Sequence, residues 1–254
     1  MSNTKVRYPA VEQFIDNNKD ALVRSVQEIV RFPSVEAPAA GPGAPFGEAV
    51  RGALENALNL GKSFGFETTN LDGYAGCIDY GCGEEMLGVV AHVDVVPEGE
   101  GWIHPPYAAE IADGRIYGRG TMDDKGPAVC AIYALAAIKA AGIPMRRRVR
   151  IILGTNEETG WGCMDHYRKV AEIPTLTFSP DADYPVVNSE KGIYHATMRC
   201  NAKTNIRING GTRANVVCGK VKAFVPVEIT EVEKHVSGCL CGGSGKTGNL
   251  WKVF

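Results

Sequence analysis

The apolar run Met86–Val90, continued by AHVDVVPEGEGW at residues 91–102, constrains this chain more than any other stretch. The run reads as a buried strand, and its exit carries His92 and Asp94. On an extended segment, side chains two positions apart point the same way, so one of the pair can bind a metal while the other fixes or tunes the site. Three acidic clusters follow: MDDKG at 122–126, NEETG at 156–160 and SPDADYP at 179–185. Each falls at the end of an expected strand. A histidine and several carboxylates gathered at strand ends point to a metallohydrolase.

The rest of the pattern supplies a frame for those ends. Residues 11–32 place Val11, Phe14, Ile15, Leu22, Val23, Val26, Ile29 and Val30 at three- and four-residue steps, the period of an amphipathic helix that Pro33 stops. A Gly/Pro/Ala-rich loop at 37–45 leads to a second helix over about 47–64. Strands are predicted at 66–71, 75–80 and 86–93, and a hairpin over 108–118 turns at Asp113-Gly114. An Ala-rich helix spans 124–141, a β-branched strand 149–154, a helix 163–171 and a strand 175–178. Alternating helices and apolar strands predict an α/β fold, three layers deep, with a mixed and mostly parallel central sheet. After Lys191 the texture changes: 192–201 alternates like a strand, GGTRANVV at 210–217 introduces another, and 216–233 is β-rich. The expected organisation is a catalytic domain over 1–198 and part of an α+β lid domain over 199–254.

Composition narrows the function classes. The net charge of −2 and pI near 6.2 provide no basic face, which argues against a nucleic-acid partner. The first ten residues hold no apolar leader and no stretch of 18 apolar residues occurs, so neither secretion nor a membrane span is expected and the cytoplasm is the expected location. The eight cysteines are scattered rather than spaced as a disulfide scaffold, and read as reduced thiols; Cys130, inside the Ala-rich helix, is expected in the core. GSGKTG near the end has leucine, Leu240, where a phosphate-binding loop needs its first glycine.

The candidate ligands are one imidazole and several carboxylates, a set suited to zinc and also to cobalt or manganese. Asp123 and Asp124 precede the Ala-rich helix, where one can bind metal while the other faces the helix start as an N-cap. Of the adjacent pair Glu157 and Glu158, one can bind metal while the other faces substrate as a general base. Asp181 and Asp183 follow Pro180 and also read as turn residues.

The motifs AHVDVVPEGEGW, IYGRGTMDDKGP, GTNEETGWGCMDHY, FSPDADYPVVNSEKGIY and GGTRANVV resemble the ArgE/DapE-type metallopeptidases, in particular their PepV-like dipeptidase branch. The resemblance covers most of residues 10–225. It implies two zinc ions: one held by His92, Asp123 and Asp181, the second by Asp123, as a bridge, and Glu158. It implies Glu157 as the general base acting on a water between the zincs, and Asp94 as the residue that orients His92. It further implies a cis peptide between Asp123 and Asp124, a substrate-binding role for Asn215 on the lid and a place in the pocket wall for His104. The implied substrates are unblocked dipeptides; N-acyl amino acids and succinyl-diaminopimelate are the alternatives, and a homo-oligomer is compatible. Members of the branch are much longer, and the histidine that completes their second zinc site comes from a segment without a counterpart here. His235 lies in a different context, so a C-terminally truncated chain, and with it an inactive metal-binding fragment, is the remaining expectation.

Overall fold

The computed structural model describes residues 7–183 and, beyond them, 187–189, 191, 192, 194, 196–199, 201, 205–211, 218, 220–227, 252 and 253. Contacts divide the chain into two compact units, Met1–Val187 and Asn188–Phe254. The first holds helices α1 (Pro9–Val30), α2 (Glu48–Ser63), α3 (Lys125–Ala140) and α4 (Gly162–Val170). Its strands are β1 (Glu67–Leu71), β2 (Ala75–Tyr80), β3 (Met86–His92), β4 (Glu110–Ala112), β5 (Arg115–Tyr117), β6 (Arg148–Gly154) and β7 (Leu176–Phe178).

Five of these strands form one mixed sheet in the order β1-β2-β6-β3-β7. β1, β2 and β6 are joined antiparallel, whereas β6, β3 and β7 run parallel. The parallel half matters for function, because it brings the exits of β3, β6 and β7 to the same end of the sheet. There the chain leaves each strand through an acidic cluster. The antiparallel half is local: β1 and β2 are joined by the short turn Asp72-Gly73, which needs no crossover helix.

Strand alternation sorts the side chains into two cores. Ile78, Val89, Ala91, Val149, Ile151 and Leu153 pack with α1, α2 and α3 on one face. Ala75, Cys77 and Ile152 meet Tyr167 of α4 on the other. The result is the expected three layers, with a much thinner second helix layer. α1 starts with Pro9 in its first turn, where the missing N–H costs nothing, and stops before Pro33 as the sequence implies. The predicted hairpin forms, with Asp113 and Gly114 both at positive φ.

Two expectations are corrected. Cys130 is exposed rather than in the core. α3 is apolar around most of its circumference, but Val129, Ile132, Tyr133 and Ala136 are the positions packed into the main core. Cys130 and Ala134 instead line a cavity of about 450 Å³ together with Leu87, Phe178 and Pro180. The described residues of 192–201 carry no strand. In the second unit, β8 (Arg207–Gly210), β9 (Val221–Phe224) and β10 (Lys252–Val253) form an antiparallel sheet in the order β10-β9-β8. No helix among the described residues is long and apolar enough to cross a membrane.

Candidate metal centre

His92 is the last residue of β3 and is almost fully buried, its ring fixed from both sides. Its Nδ1–H donates to the backbone carbonyl of Asp94 at 3.0 Å, and the Asp94 carboxylate lies 3.4 Å from the same nitrogen. Nε2 therefore faces the acidic loops, 3.0 Å from Asp123 Oδ1, 3.4 Å from Asp181 Oδ2 and 3.9 Å from Glu157 Oε2. One ligand atom from each of His92, Asp123 and Asp181 lies within 4.8 Å of the others, the only such group among the described residues. One imidazole nitrogen and two carboxylate oxygens fit a single divalent cation of the zinc, cobalt or manganese type.

The loop that presents Asp123 is shaped by close backbone approach. A Cβ on Gly126 would stand 2.1 Å from the carbonyl oxygen of Thr121, and Gly120 adopts φ +87° against the stem of Lys125. The glycines of GRGTMDDKG are thus steric requirements of the turn that aims Asp123 at His92. The peptide bond between Asp123 and Asp124 is cis. Asp124 occupies the N-cap position of α3 but makes no side-chain capping bond. Its Oδ2 instead accepts the backbone N–H of His92 at 3.0 Å. The expectation that one aspartate serves the helix start is corrected: a buried carboxylate beside an unpaired strand-end N–H bonds there instead. Asp124 Oδ1 is buried with no hydrogen-bond partner among the described residues.

Asp94 ties the two strand ends together. Its Oδ1 accepts the N–H of Glu157 and its Oδ2 the N–H of Glu158, each at 3.1 Å. Glu157 joins His92 and Asp181 on the wall of a cavity of about 510 Å³, whose other walls include Trp161, Met164, Ile173 and Phe178. Glu158 is turned differently: its Oε1 accepts the N–H of Val96 at 3.3 Å, and it is outside the three-residue group. His104 bonds Glu110 at 2.7 Å and stacks on Tyr117, so its partners belong to the β4–β5 hairpin rather than to the cavity beside His92. His166 bonds Asp72 and stacks on Tyr74 at the surface. Asn215, His195 and His235 lie outside the described residues.

Crowded charges and burial set the proton affinities. Burial pulls the His92 ring down, but its bonds to Asp123, Asp181 and Asp94 outweigh that and hold the imidazolium well above its ordinary range. The bond to His92 keeps Asp123 below the usual carboxylate range. Burial raises Glu157, with the charges of Asp94, Asp181 and Asp123 adding to it against His92. Burial, then the charge of Asp123, pushes Glu158 up to about 7, and burial takes Asp124 to about 7. A carboxylate with raised proton affinity at the mouth of a cavity is suited to accept a proton near neutral pH.

Sequence reasoning did not single out Lys125 and Ser34. Lys125 is completely buried and donates to the carbonyl of Phe32 at 2.6 Å; Ser34 is equally buried and its Oγ donates to the carbonyl of Val93 at 2.6 Å. The available signal was a lysine at the start of a helix whose next charged residue is Lys139, in its last turn.

Comparison with known proteins agrees with this geometry. The chain is 46% identical over 216 residues to "Putative dipeptidase YtjP" of Bacillus subtilis (strain 168), covering 82% of this chain and 47% of that protein. It is 38% identical over 221 residues to the Beta-Ala-Xaa dipeptidase of Lactobacillus delbrueckii subsp. lactis, covering 86% of this chain and 46% of that protein. The chain therefore spans about half the length of the curated relatives it matches. Among solved structures, human carnosine dipeptidase 1 superposes with a TM-score of 0.54 at 24% identity, over 63% of this chain and 37% of that one. The di-peptidase Dug1p of Saccharomyces cerevisiae superposes with a TM-score of 0.54 at 22% identity, over the same shares; both likenesses speak for the fold. The profile of Peptidase family M20/M25/M40 matches residues 88–241, a span that begins within β3 and takes in every residue of the cluster around His92. A strand-end histidine, its acidic partners and this match together show that the chain belongs to Peptidase family M20/M25/M40.

Proposed function

We propose that this chain is the metal-binding part of a zinc-dependent dipeptidase that hydrolyses the peptide bond of unblocked dipeptides. The observation that carries the reading is the convergence of His92, Asp123 and Asp181 within 4.8 Å, with Glu157 beside them at 3.9 Å from His92. The names of the two dipeptidase relatives support a dipeptide over an N-acyl amino acid as substrate. His92, Asp123 and Asp181 are the residues that would hold the ion. When bound, it would supply Lewis-acid polarisation of the scissile carbonyl and lower the proton affinity of a nearby water.

The chain's own groups do the rest. Glu157 takes the proton of the attacking water and returns it to the leaving amine, a two-step use of one carboxylate that its raised proton affinity favours. Asp94 holds both the ring of His92 and the backbone of Glu157, so ligand and base keep a fixed separation. Asp124 keeps the end of β3 in place through the His92 N–H. Within this reading Glu158, with Asp123, would hold a second ion; residues 199–254 belong to a lid domain in which Asn215 is a substrate-binding residue, and the protein works in the cytoplasm.

A second reading, a metal-binding chain without turnover, is favoured by one observation: the described residues assemble a ligand group for one ion, and Glu158 stands outside it. Zinc-dependent hydrolysis of a simple unblocked dipeptide by the 254-residue chain, with Glu157→Ala as the control, separates the two. Turnover abolished by the substitution establishes the dipeptidase. Zinc binding with no turnover above the Glu157→Ala background establishes the second reading.

A further inference from the structure

Two of the buried polar residues that no ligand role absorbs, Lys125 and Ser34, meet at one short segment. That segment, Phe32–Val35, follows α1 and runs beside the exit of β3. Its Phe32 carbonyl accepts the Lys125 ammonium at 2.6 Å and the Ser34 N–H at 2.8 Å. Ser34 in turn bonds the Val93 carbonyl through Oγ at 2.6 Å and receives the Val95 N–H at its own carbonyl at 3.0 Å. Val35 and Val95 form a parallel bridge. On the other side, Asp124, the neighbour of Lys125, accepts the His92 N–H. These bonds close a circuit: β3 exit to Phe32–Val35, Phe32 to Lys125, and Asp124 back to β3. His92 and Asp123, two of the three candidate ligands, are carried on opposite arcs of it.

We propose that Lys125 is a positioning residue for the metal centre, its buried ammonium locking the start of α3 to the Phe32–Val35 segment so that Asp123 stays at ligand distance from His92. A bare charge could not explain the site in this way. Burial pulls Lys125 down to about 7 against the attraction of Asp94, and any positive charge beside the ligands repels an incoming metal ion. Electrostatics alone therefore makes Lys125 a liability, and its removal would tighten metal binding. The brace makes the opposite forecast, because loss of the Phe32 bond frees the Asp123 arc. The stem of Lys125 also packs on Gly120, so the residue fills space that an uncharged side chain of equal length would still fill.

The inference rests on the proposal that His92, Asp123 and Asp181 bind a divalent ion. Its test is Co2+ affinity, followed by the visible absorption of the bound ion, in the full chain and in Lys125→Met, which keeps the stem and drops the ammonium. The expected result is affinity at least tenfold weaker in Lys125→Met with an altered absorption spectrum. Leu58→Ala, a buried position on α2 outside the circuit, serves as the stability control and is expected to lose melting temperature while keeping parental Co2+ affinity. Unchanged or tighter binding by Lys125→Met overturns the brace. Should that variant fail to fold, Ser34→Ala opens the same circuit on its other side; about threefold weaker binding is expected, and parental affinity overturns the proposal. A parent chain that binds no Co2+ at its ligands refutes the metal reading itself, an outcome distinct from an intact site indifferent to Lys125.

Discussion

Both carboxylate oxygens of Asp94 are occupied by consecutive backbone donors of the loop after β6: Glu157 donates its N–H to Oδ1 at 3.1 Å, and the next N–H, of Glu158, meets Oδ2 at the same distance. The side chain thus joins the exits of two adjacent parallel strands. Asp94→Asn replaces one acceptor oxygen by an NH2 group and leaves a strand-end N–H facing a donor. A buried donor without a partner costs about 1–3 kcal/mol. A drop of that size in unfolding free energy, read from urea denaturation, is expected together with a loss of turnover, since Glu157 loses its anchor. Parental stability and turnover in this variant would contradict the clasp.

The proposed function gives Glu157 proton transfer and not ion binding, which makes its removal selective. Glu157→Gln should lower kcat by about a hundredfold to ten-thousandfold, the usual contribution of a positioned general base. Zinc affinity, measured by competition with a chelating dye, should stay within a fewfold of the parent. A variant that loses zinc as completely as His92→Ala would place Glu157 among the ligands.

The metal-free chain should become less stable as pH rises. His92 is held above its ordinary value, so its contribution is full below the unfolded histidine value of about 6.5 and is lost as pH climbs through the higher folded one. Asp124 and Glu158 are pushed up to about 7; they too bind their protons more tightly when folded, and that contribution disappears as pH rises from the ordinary carboxylate range through about 7. Asp123 is shifted the other way, and its contribution is lost only on acidification below the ordinary carboxylate range. Burial holds Lys125 down at about 7, so its deprotonation in the folded state opposes the His92 loss above that pH. In chelator, urea midpoints should therefore fall between about pH 5 and about pH 7. A midpoint that climbs over this window would mean that the cluster does not hold its protons in the folded state.

Metal binding should reverse that dependence. The ion and a proton compete for Nε2 of His92, whose Nδ1 is already committed to the Asp94 carbonyl. Zinc uptake is expected to release protons near neutral pH and to tighten as pH rises. Calorimetric titration in two buffers of different ionisation enthalpy measures the release directly; equal heats in both would exclude His92 as the ligand that gives up its proton.

Gly126→Ala tests the loop that aims Asp123. A Cβ there would lie 2.1 Å from the Thr121 carbonyl oxygen, so the backbone must move. Forcing such a clash costs about 1–3 kcal/mol, and the displaced loop should weaken zinc binding as well. A variant with the parental melting temperature and zinc affinity would show that the loop yields freely.

The sequence by itself determined the order of the elements in the first unit, the hairpin at Asp113-Gly114, the stop of α1 before Pro33 and the strand exits on which the acidic clusters ride. These follow from periodicity and turn chemistry, which act between residues a few positions apart and leave a visible spacing. The ligand candidates His92, Asp123 and Asp181 were legible for the same reason: each ends a local pattern. Only the tertiary structure decided which partner each polar group takes. Asp124 turned from its helix to the His92 N–H, Glu158 to the N–H of Val96, His104 to its hairpin, Lys125 to the Phe32 carbonyl and Ser34 to the Val93 carbonyl. Cys130 likewise lost its expected place in the core because an apolar helix does not announce which of its sides will be covered. Such choices are made by desolvation: a polar group carried into the interior must bond whatever donor or acceptor the packing brings near, and between distant segments no spacing in the sequence records which one that will be.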